Sequence, residues 1–178
     1  MREQTTRVEE QPEAAEISFR RPTAEDGEEI WSLVGACPPL DQNTLYCYLL
    51  QCSHFRDTCI VGERDGRAVG WISGYRPPEE PDTLFVWQVA VHSDARGEAL
   101  ARRLIQALLH RDSLADVNWI KTTVTPDNAA SWAMFRSLAQ ALDAPMASEE
   151  WFEQERHFGG RHPSEHLVTI GPFGASRP

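Results

Sequence analysis

The segment TLFVWQVAVHSDARGEALARRLIQALL, residues 83–109, constrains the fold more than any other part of the chain. Its first nine residues are rich in β-branched and aromatic side chains and apolar on both faces, as a central strand requires. Leu100, Leu104 and Leu108 then repeat with a helical period, with Ala101 and Ile105 alongside, while Arg102, Arg103 and Gln106 point elsewhere. A few polar residues separate the two patterns. A buried strand running directly into an amphipathic helix fits a sheet with helices packed on it.

The flanking sequence extends this pattern. ISFRRP reads as a short strand, and Thr23 is placed to cap a helix over AEDGEEIWSLVGA, whose early acids suit the helix dipole. CPPL ends that helix. In DQNTLYCYLLQCSHF, Leu45, Tyr48, Leu49 and Cys52 make one apolar face of a second helix. TCIVGERDGRAVGWISGY reads as a hairpin turning at Asp65-Gly66, and RPPEEP as a loop. NWIKTTVTP is a further strand, DNAASWAMFRSLAQAL a helix capped by Asp127 or Asn128, and EHLVTIG a last strand. From Pro145 to that strand no element is predicted. The order β-α-α-β-β-β-α-β-α with a strand-rich tail predicts an α/β fold, a mixed and partly antiparallel sheet with helices on both faces. The expected layout is one domain over residues 17–171, between tails at 1–16 and 172–178.

Composition narrows the functional classes. The net charge of -10 argues against a nucleic-acid binder and leaves room for a small cationic substrate. No apolar run approaches the ~20 residues of a membrane span, and the polar start MREQTTRVEEQPEAAE lacks the apolar core of a secretory signal. A cytoplasmic location is therefore expected. Cys37, Cys47, Cys52 and Cys59 form no C-x-x-C pair, so they are read as reduced, buried thiols.

The turn ARGEALARRL is the first candidate for chemistry. A strand ending at Val91, a short turn and a helix beginning near Glu98 gather unpaired backbone N–H groups and a positive dipole end, which together suit a phosphate. Arg96 adds a fixed charge. Alanine at 99 and 101 keeps the N–H, and residue 99 is expected early in the helix at an ordinary negative φ.

The segment VAVHSDARGEALARRLI resembles the acyl-CoA-binding motif of the GNAT N-acetyltransferase superfamily, an apolar strand followed by Arg/Gln-x-x-Gly-x-Gly/Ala on the turn into a helix. Arg96, Ala99 and Ala101 take its three defining places, and Ala99 departs from the usual glycine. NAASWAMF resembles the second motif, Asn-x-x-Ala-x-x-x-Tyr, with Asn128, Ser131 and Phe135 in its three places. The resemblance implies acetyl-CoA as co-substrate, with its pyrophosphate on Arg96 and the backbone of Gly97, Glu98, Ala99, Leu100, Ala101 and Arg102. It places Asn128 and Ser131 along the cofactor arm and the thioester beside Val89, Ala90 and Val91, where N–H groups near Val89 polarise its carbonyl. The family's tyrosine often protonates the leaving thiolate. Phe135 has no hydroxyl, so another group must do so or the thiolate, with a pKa around 8–9, leaves unassisted.

PPLDQNTLYCYLLQCSHFRDTC, GWISGYRPPEEPDTLFVWQVAV and TPDNAAS are similar to one branch of that superfamily in particular, which acetylates the 4-amino group of L-2,4-diaminobutyrate in ectoine synthesis. This implies a cytoplasmic, homodimeric enzyme of compatible-solute synthesis. Such a substrate carries two ammonium groups and one carboxylate, so the site needs carboxylates, a base and an aromatic or hydroxyl wall. Asp41 is expected to cap its helix, to bind substrate, or both. Tyr46 lies off the apolar stripe and lines either pocket or core. Of Trp87 and Gln88, strand alternation turns one toward the ligand; Trp87 is chosen, because an indole can flank an ammonium. In EEWFEQERHFGGRHPSEHL, the spacing of His157, His162 and His166 matches no zinc pattern, so no metal is expected and a solvated loop accounts for most of these residues. Glu165 or His166, at the start of the last strand, is the candidate base. Two other readings are an acetyltransferase of another amine or a protein N-terminus, and a non-catalytic acyl-CoA-binding domain, which Ala99 and Phe135 would favour.

Overall fold

The computed structural model describes residues 15–174 of the 178. Most of the two expected tails, residues 1–14 and 175–178, lies outside the described residues. Seven strands, β1 (Ser18–Arg20), β2 (Ile60–Arg64), β3 (Arg67–Tyr75), β4 (Thr83–Val91), β5 (Trp119–Val124), β6 (Met146–Phe152) and β7 (Glu165–Ile170), form one sheet in the order β1-β2-β3-β4-β5-β7-β6. The pairs are antiparallel except β4–β5. Among the described residues five α-helices accompany the sheet: α1 (Gly27–Gly35), α2 (Leu45–His54), α3 (Leu100–Leu109), α4 (Ala129–Ala141) and the short α5 (Gln154–Phe158).

Each face of the sheet has its own apolar core. On one, Leu100, Leu104, Ile105 and Leu108 of α3 and Phe135 and Leu138 of α4 pack against Ile72, Leu84, Val86 and Ile120. On the other, Ile30, Leu33 and Val34 of α1 and Tyr48 and Cys52 of α2 pack against Val61, Trp71 and Ala90. Gly70 lets α3 lie close to β3, since a Cβ there would come within 2.8 Å of Leu104. The α/β reading with helices on both faces holds.

Two features of β4 position the site. First, β4 pairs with β5 only over Thr83–Trp119, Leu84–Ile120 and Phe85–Lys121. Beyond that β4 continues against β3 and β5 against β7, so the two parallel strands part. Second, Ser73 pairs with Gln88 but Gly74 pairs with Val86, which leaves Trp87 as the extra residue of a β-bulge. Simple alternation would put Gln88 on the face of Leu84 and Val86. The inserted residue reverses the parity. Leu84 and Val86 join the α3/α4 core, and after the bulge Val89 and Val91 pack on that core while Ala90 joins the α1/α2 core.

Several local expectations are corrected. Thr44, not Asp41, caps α2: its hydroxyl accepts the Cys47 N–H. Leu45 is exposed, because Tyr48, Gln51 and Cys52 are the residues α2 turns inward. The segment after Pro145 holds β6 and α5, which the sequence pattern does not predict. In β6 the polar run Ser148–Glu150 separates Met146 and Ala147 from Trp151 and Phe152, and only Met146 and Phe152 are half-buried, so no alternating apolar pattern marks it. Ordered packing also passes the expected limit at 171: Phe173 is buried and its N–H donates to Asn118 O at 3.0 Å. Of the four free cysteines, Cys37, Cys52 and Cys59 are buried and Cys47 is half-buried. Burial pushes the Cys52 and Cys59 thiols up to about 12.

Candidate active site

Because β4 and β5 are parallel, the helices that follow them both begin at the same edge of the sheet, where the strands part. Such an opening beyond the carboxyl ends of parallel strands is where open α/β sheets bind ligands. β4 ends at Val91, and a 3₁₀ turn (Ser93–Ala95) leads to an extended Arg96, with φ -72° and ψ 153°. Gly97 follows at φ +84°, a left-handed conformation that accounts for glycine here, since nothing lies within 4 Å of the place a Cβ would take. Arg96, Gly97, Glu98 and Ala99 are all exposed.

Ala99 is the N-cap of α3 and stands at φ +53°, ψ +27°. The expectation of a negative φ is overturned, and with it a helix start near Glu98: α3 begins at Leu100. Two left-handed residues in three turn the chain sharply into α3. No side chain caps the helix, and the N–H of Arg103 is the one that bonds Ala99 O, at 3.0 Å. The N–H groups of the first turn therefore remain available to an anion.

The charged side chains of this turn divide their roles. Arg96 extends into solvent. Glu98 is held away by Arg64, which donates to both its oxygens at 2.8 and 2.6 Å, so Glu98 offers the turn its backbone and not its carboxylate. Arg102 reaches sideways to α4 and donates to Ser137 Oγ at 3.0 Å, joining the two helices. Ala101 is half-buried and Leu100 buried. On β4, Val89 and Val91 pack on the α3 core and Ala90 on the opposite one, so what all three offer the opening is the backbone edge that β5 has left.

At the start of α4, Asn128 Oδ1 accepts the Ser131 N–H at 3.0 Å, so Asn128 rather than Asp127 is the cap. Phe135 is 2% exposed, deep in the α3/α4 core, and serves packing.

A second group of residues gathers on the α2 side of the opening. Asp41, His162 and Glu165 meet there: His162 Nε2 is 3.8 Å from Asp41 Oδ2 and 3.8 Å from Glu165 Oε1. His162 Nδ1 lies 2.8 Å from Pro163 O, which fixes a proton on that nitrogen and leaves Nε2 facing the two carboxylates. Glu165 is largely buried, and its Oε2 has no hydrogen-bond partner. Desolvation raises its pKa above the usual carboxylate value, against the pull of Thr123 and the two neighbouring histidines. His166, the alternative base, is the next residue of β7 and so faces the other way, with its ring edge-on to Trp132 of α4 at 6.3 Å. Trp87, lifted by its bulge, is 48% exposed where β4 leaves β5. Tyr46, in the first turn of α2, is exposed and takes no part in the core.

Sequence reasoning misses three participants. It leaves His162 in a solvated loop, counts Tyr48 only as part of an apolar stripe, and passes over Gln88 for Trp87. Yet Tyr48 and Gln88 are hydrogen-bonded to one another at 3.2 Å and to the chain around Asp41. A glutamine in a run otherwise as apolar as LFVWQVAV is the available signal, since a buried amide demands partners.

A parted parallel strand pair, an uncapped helix N-terminus with an exposed arginine, and a largely buried carboxylate at the mouth suit an acyl-transfer enzyme of the GNAT type. The chain belongs to the Acetyltransferase (GNAT) family, whose model matches residues 26–139. Within that family it is 52% identical over 158 residues to L-2,4-diaminobutyric acid acetyltransferase of Chromohalobacter salexigens, covering 88% of this chain and 82% of the relative. The enzyme of the same name from Methylotuvimicrobium alcaliphilum is 50% identical over 159 residues, 89% of this chain and 92% of the relative. Among solved structures, diaminobutyrate acetyltransferase from Paenibacillus lautus, in complex with its substrate L-2,4-diaminobutyric acid and coenzyme A, superimposes with a TM-score of 0.86 at 39% identity, over 90% of this chain and 97% of that one.

Proposed function

We propose that this protein transfers the acetyl group of acetyl-CoA to the 4-amino group of L-2,4-diaminobutyrate, giving N4-acetyl-L-2,4-diaminobutyrate and CoA, a step of ectoine biosynthesis. The observation that carries the reading is the Asp41–His162–Glu165 cluster at the mouth of an acyl-CoA cleft. A diammonium substrate needs two anionic partners, and here two carboxylates face one opening. The named relatives and the Paenibacillus lautus complex support the choice of amine.

In this reading Arg96 and the first-turn N–H groups of α3 hold the pyrophosphate, and Asn128 and Ser131 border the pantetheine arm. Acetyl-CoA supplies the activated acyl carbon. Asp41 pairs with the substrate's 2-ammonium, Trp87 flanks the cation with its ring face, and Tyr46 lines the entrance. Glu165 removes a proton from the 4-ammonium, whose pKa lies near 10. Its raised pKa suits it to this task better than an ordinary carboxylate. The neutral amine attacks the thioester carbon. As the C–N bond forms and the C–S bond breaks, backbone N–H groups near Val89 stabilise the oxyanion, the second amine proton passes to the departing thiolate to give CoA, and Glu165 releases the first to solvent. No covalent enzyme intermediate and no metal is required. We place the enzyme in the cytoplasm, in compatible-solute synthesis, as a homodimer; no helix among the described residues is long and apolar enough to cross a membrane.

The test is a panel of amines assayed by thiol release from acetyl-CoA. Turnover of diaminobutyrate with acetylation at the 4-position is expected. Activity on peptide N-termini without activity on diaminobutyrate would refute the substrate. A second reading, acyl-CoA binding without catalysis, draws on the buried Phe135 where the family's acid often stands. Calorimetric binding of acetyl-CoA with no turnover across the panel would establish it instead.

A further inference from the structure

Asp41 lies in the connection between α1 and α2, residues 36–44, which contains neither helix nor strand. Its carboxylate is 89% exposed, so packing of its own side chain does not hold it. Its backbone is held from beneath. Gln88 Nε2 donates to Asp41 O at 2.8 Å. Gln88 Oε1 accepts the Tyr48 hydroxyl at 3.2 Å, and that hydroxyl accepts the Asn43 N–H at 3.2 Å. Tyr48 is fully buried and Gln88 is 7% exposed, so the bond between them is shielded from competing water.

We propose that Tyr48 and Gln88 are positioning residues for the amine substrate, and that they set the place of the Asp41 carboxylate relative to the cofactor strand. The inference rests on the reading of Asp41 as a substrate ligand. Its physical basis is the bulge. Trp87, as the extra residue, turns outward, and the same shift of parity sends Gln88 inward beneath the loop. One irregularity of β4 thus presents the indole and anchors the loop that bears the carboxylate. Gln88 is also the residue before Val89, so a single side chain links the substrate loop to the strand edge expected to hold the thioester. An error in this link displaces the amine from the acyl carbon without disturbing the turn at Arg96.

The experiment compares Asp41→Asn, Tyr48→Phe, Gln88→Leu and the double variant Asp41→Asn/Tyr48→Phe in the full chain. The readouts are KM and kcat for diaminobutyrate, KM for acetyl-CoA, and thermal unfolding. Tyr48→Phe keeps the ring that packs the core and serves as the variant that folds. We expect Tyr48→Phe and Gln88→Leu each to lower kcat/KM for diaminobutyrate about tenfold, the worth of a buried hydrogen bond, with the KM for acetyl-CoA unchanged. The double variant should lose less than the product of the two single losses, because Tyr48 acts through Asp41. If Asp41→Asn impairs diaminobutyrate use while Tyr48→Phe and Gln88→Leu leave it intact, or impair both substrates alike, the positioning role is overturned and Asp41 remains a ligand. If Asp41→Asn itself has no effect, the reading of Asp41 fails, and the inference with it.

Discussion

Replacing Ala99 by glycine should leave the protein as stable as before or more so, although glycine in place of alanine at a helix ordinarily destabilises. Ala99 stands at φ +53°, where a Cβ crowds the following carbonyl. Holding a non-glycine residue in this region costs about 1–2 kcal/mol, which glycine relieves. Glycine also loosens the unfolded chain, at a cost of about 0.4–1 kcal/mol. The balance is a gain between about 0 and 1.5 kcal/mol. Ala101 supplies the control. It lies two residues further on, inside α3, where glycine is worse than alanine by about 1 kcal/mol. The same chemical change should therefore separate the two variants by about 1 kcal/mol or more, some 2–4 °C in Tm for a chain of this size. Urea unfolding of both, with the KM for acetyl-CoA measured alongside, tests this. Ala99→Gly should leave that KM unchanged or lower it, since removing the methyl opens the approach to the backbone. Loss of stability equal to that of Ala101→Gly, or a several-fold rise in the KM, would refute the left-handed cap.

Three further outcomes are expected. Glu165→Gln should lower kcat by about 10²–10⁴-fold and abolish the acidic limb of the pH–rate profile, which in the parent lies above the ordinary carboxylate range. The effect on stability has the opposite sign: burial raises the folded-state pKa, so the favourable contribution of this carboxyl is present below its unfolded pKa and is lost as pH rises through the folded value. Glu165→Gln is then at least as stable as the parent at neutral pH, an advantage that fades on acidification, measured by unfolding at both pH values. Trp87→Ala should raise the KM for diaminobutyrate while costing less than the ~3–5 kcal/mol of a core tryptophan, because the ring is 48% exposed. Cys47→Ser, Cys52→Ser and Cys59→Ser should each retain acetyl transfer; abolished transfer in folded protein would show a thiol nucleophile, contrary to the high pKa that burial gives Cys52 and Cys59.

Patterns of local sequence carry the frame, and tertiary pairing decides the rest. The strand and helix of residues 83–109 are legible because each has a strong pattern and each buries its apolar side. The turn between them is legible as a candidate anion site, but its conformation is not: glycine at 97 signals a left-handed residue, whereas alanine at 99 signals the opposite, and the tight entry into α3 overrides it. β6 escapes notice because it lies at the sheet edge with few apolar side chains buried. The bulge at Trp87 is invisible for a different reason. It depends on how β3 pairs with β4, at Ser73 and Gly74, and no property of β4 alone reveals it. Choosing Trp87 over Gln88 by alternation therefore treats as rivals two residues of which one is exposed at the bulge and the other buried beside it. The meeting of Asp41 with His162 and Glu165 joins segments more than a hundred residues apart and emerges only from the fold.

The same geometry explains how a chain of net charge -10 can accept a polyanion. Long-range repulsion is screened within about 8–10 Å at physiological ionic strength, so the charges next to the turn decide. Four of the residues at or beside it, Arg64, Arg96, Arg102 and Arg103, are arginines, and the one carboxylate between Arg96 and Arg103 is paired by two hydrogen bonds to Arg64. Glu98 is thereby held back from the helix N-terminus, where the proposed phosphate site lies. At the other side of the opening the balance reverses, with Asp41 and Glu165 facing a single histidine. In the proposed reading an anionic co-substrate and a cationic amine are each drawn to a different end of one cleft and meet where β4 and β5 part. On that reading the sign of the local charge favours each at its own end and opposes it at the other.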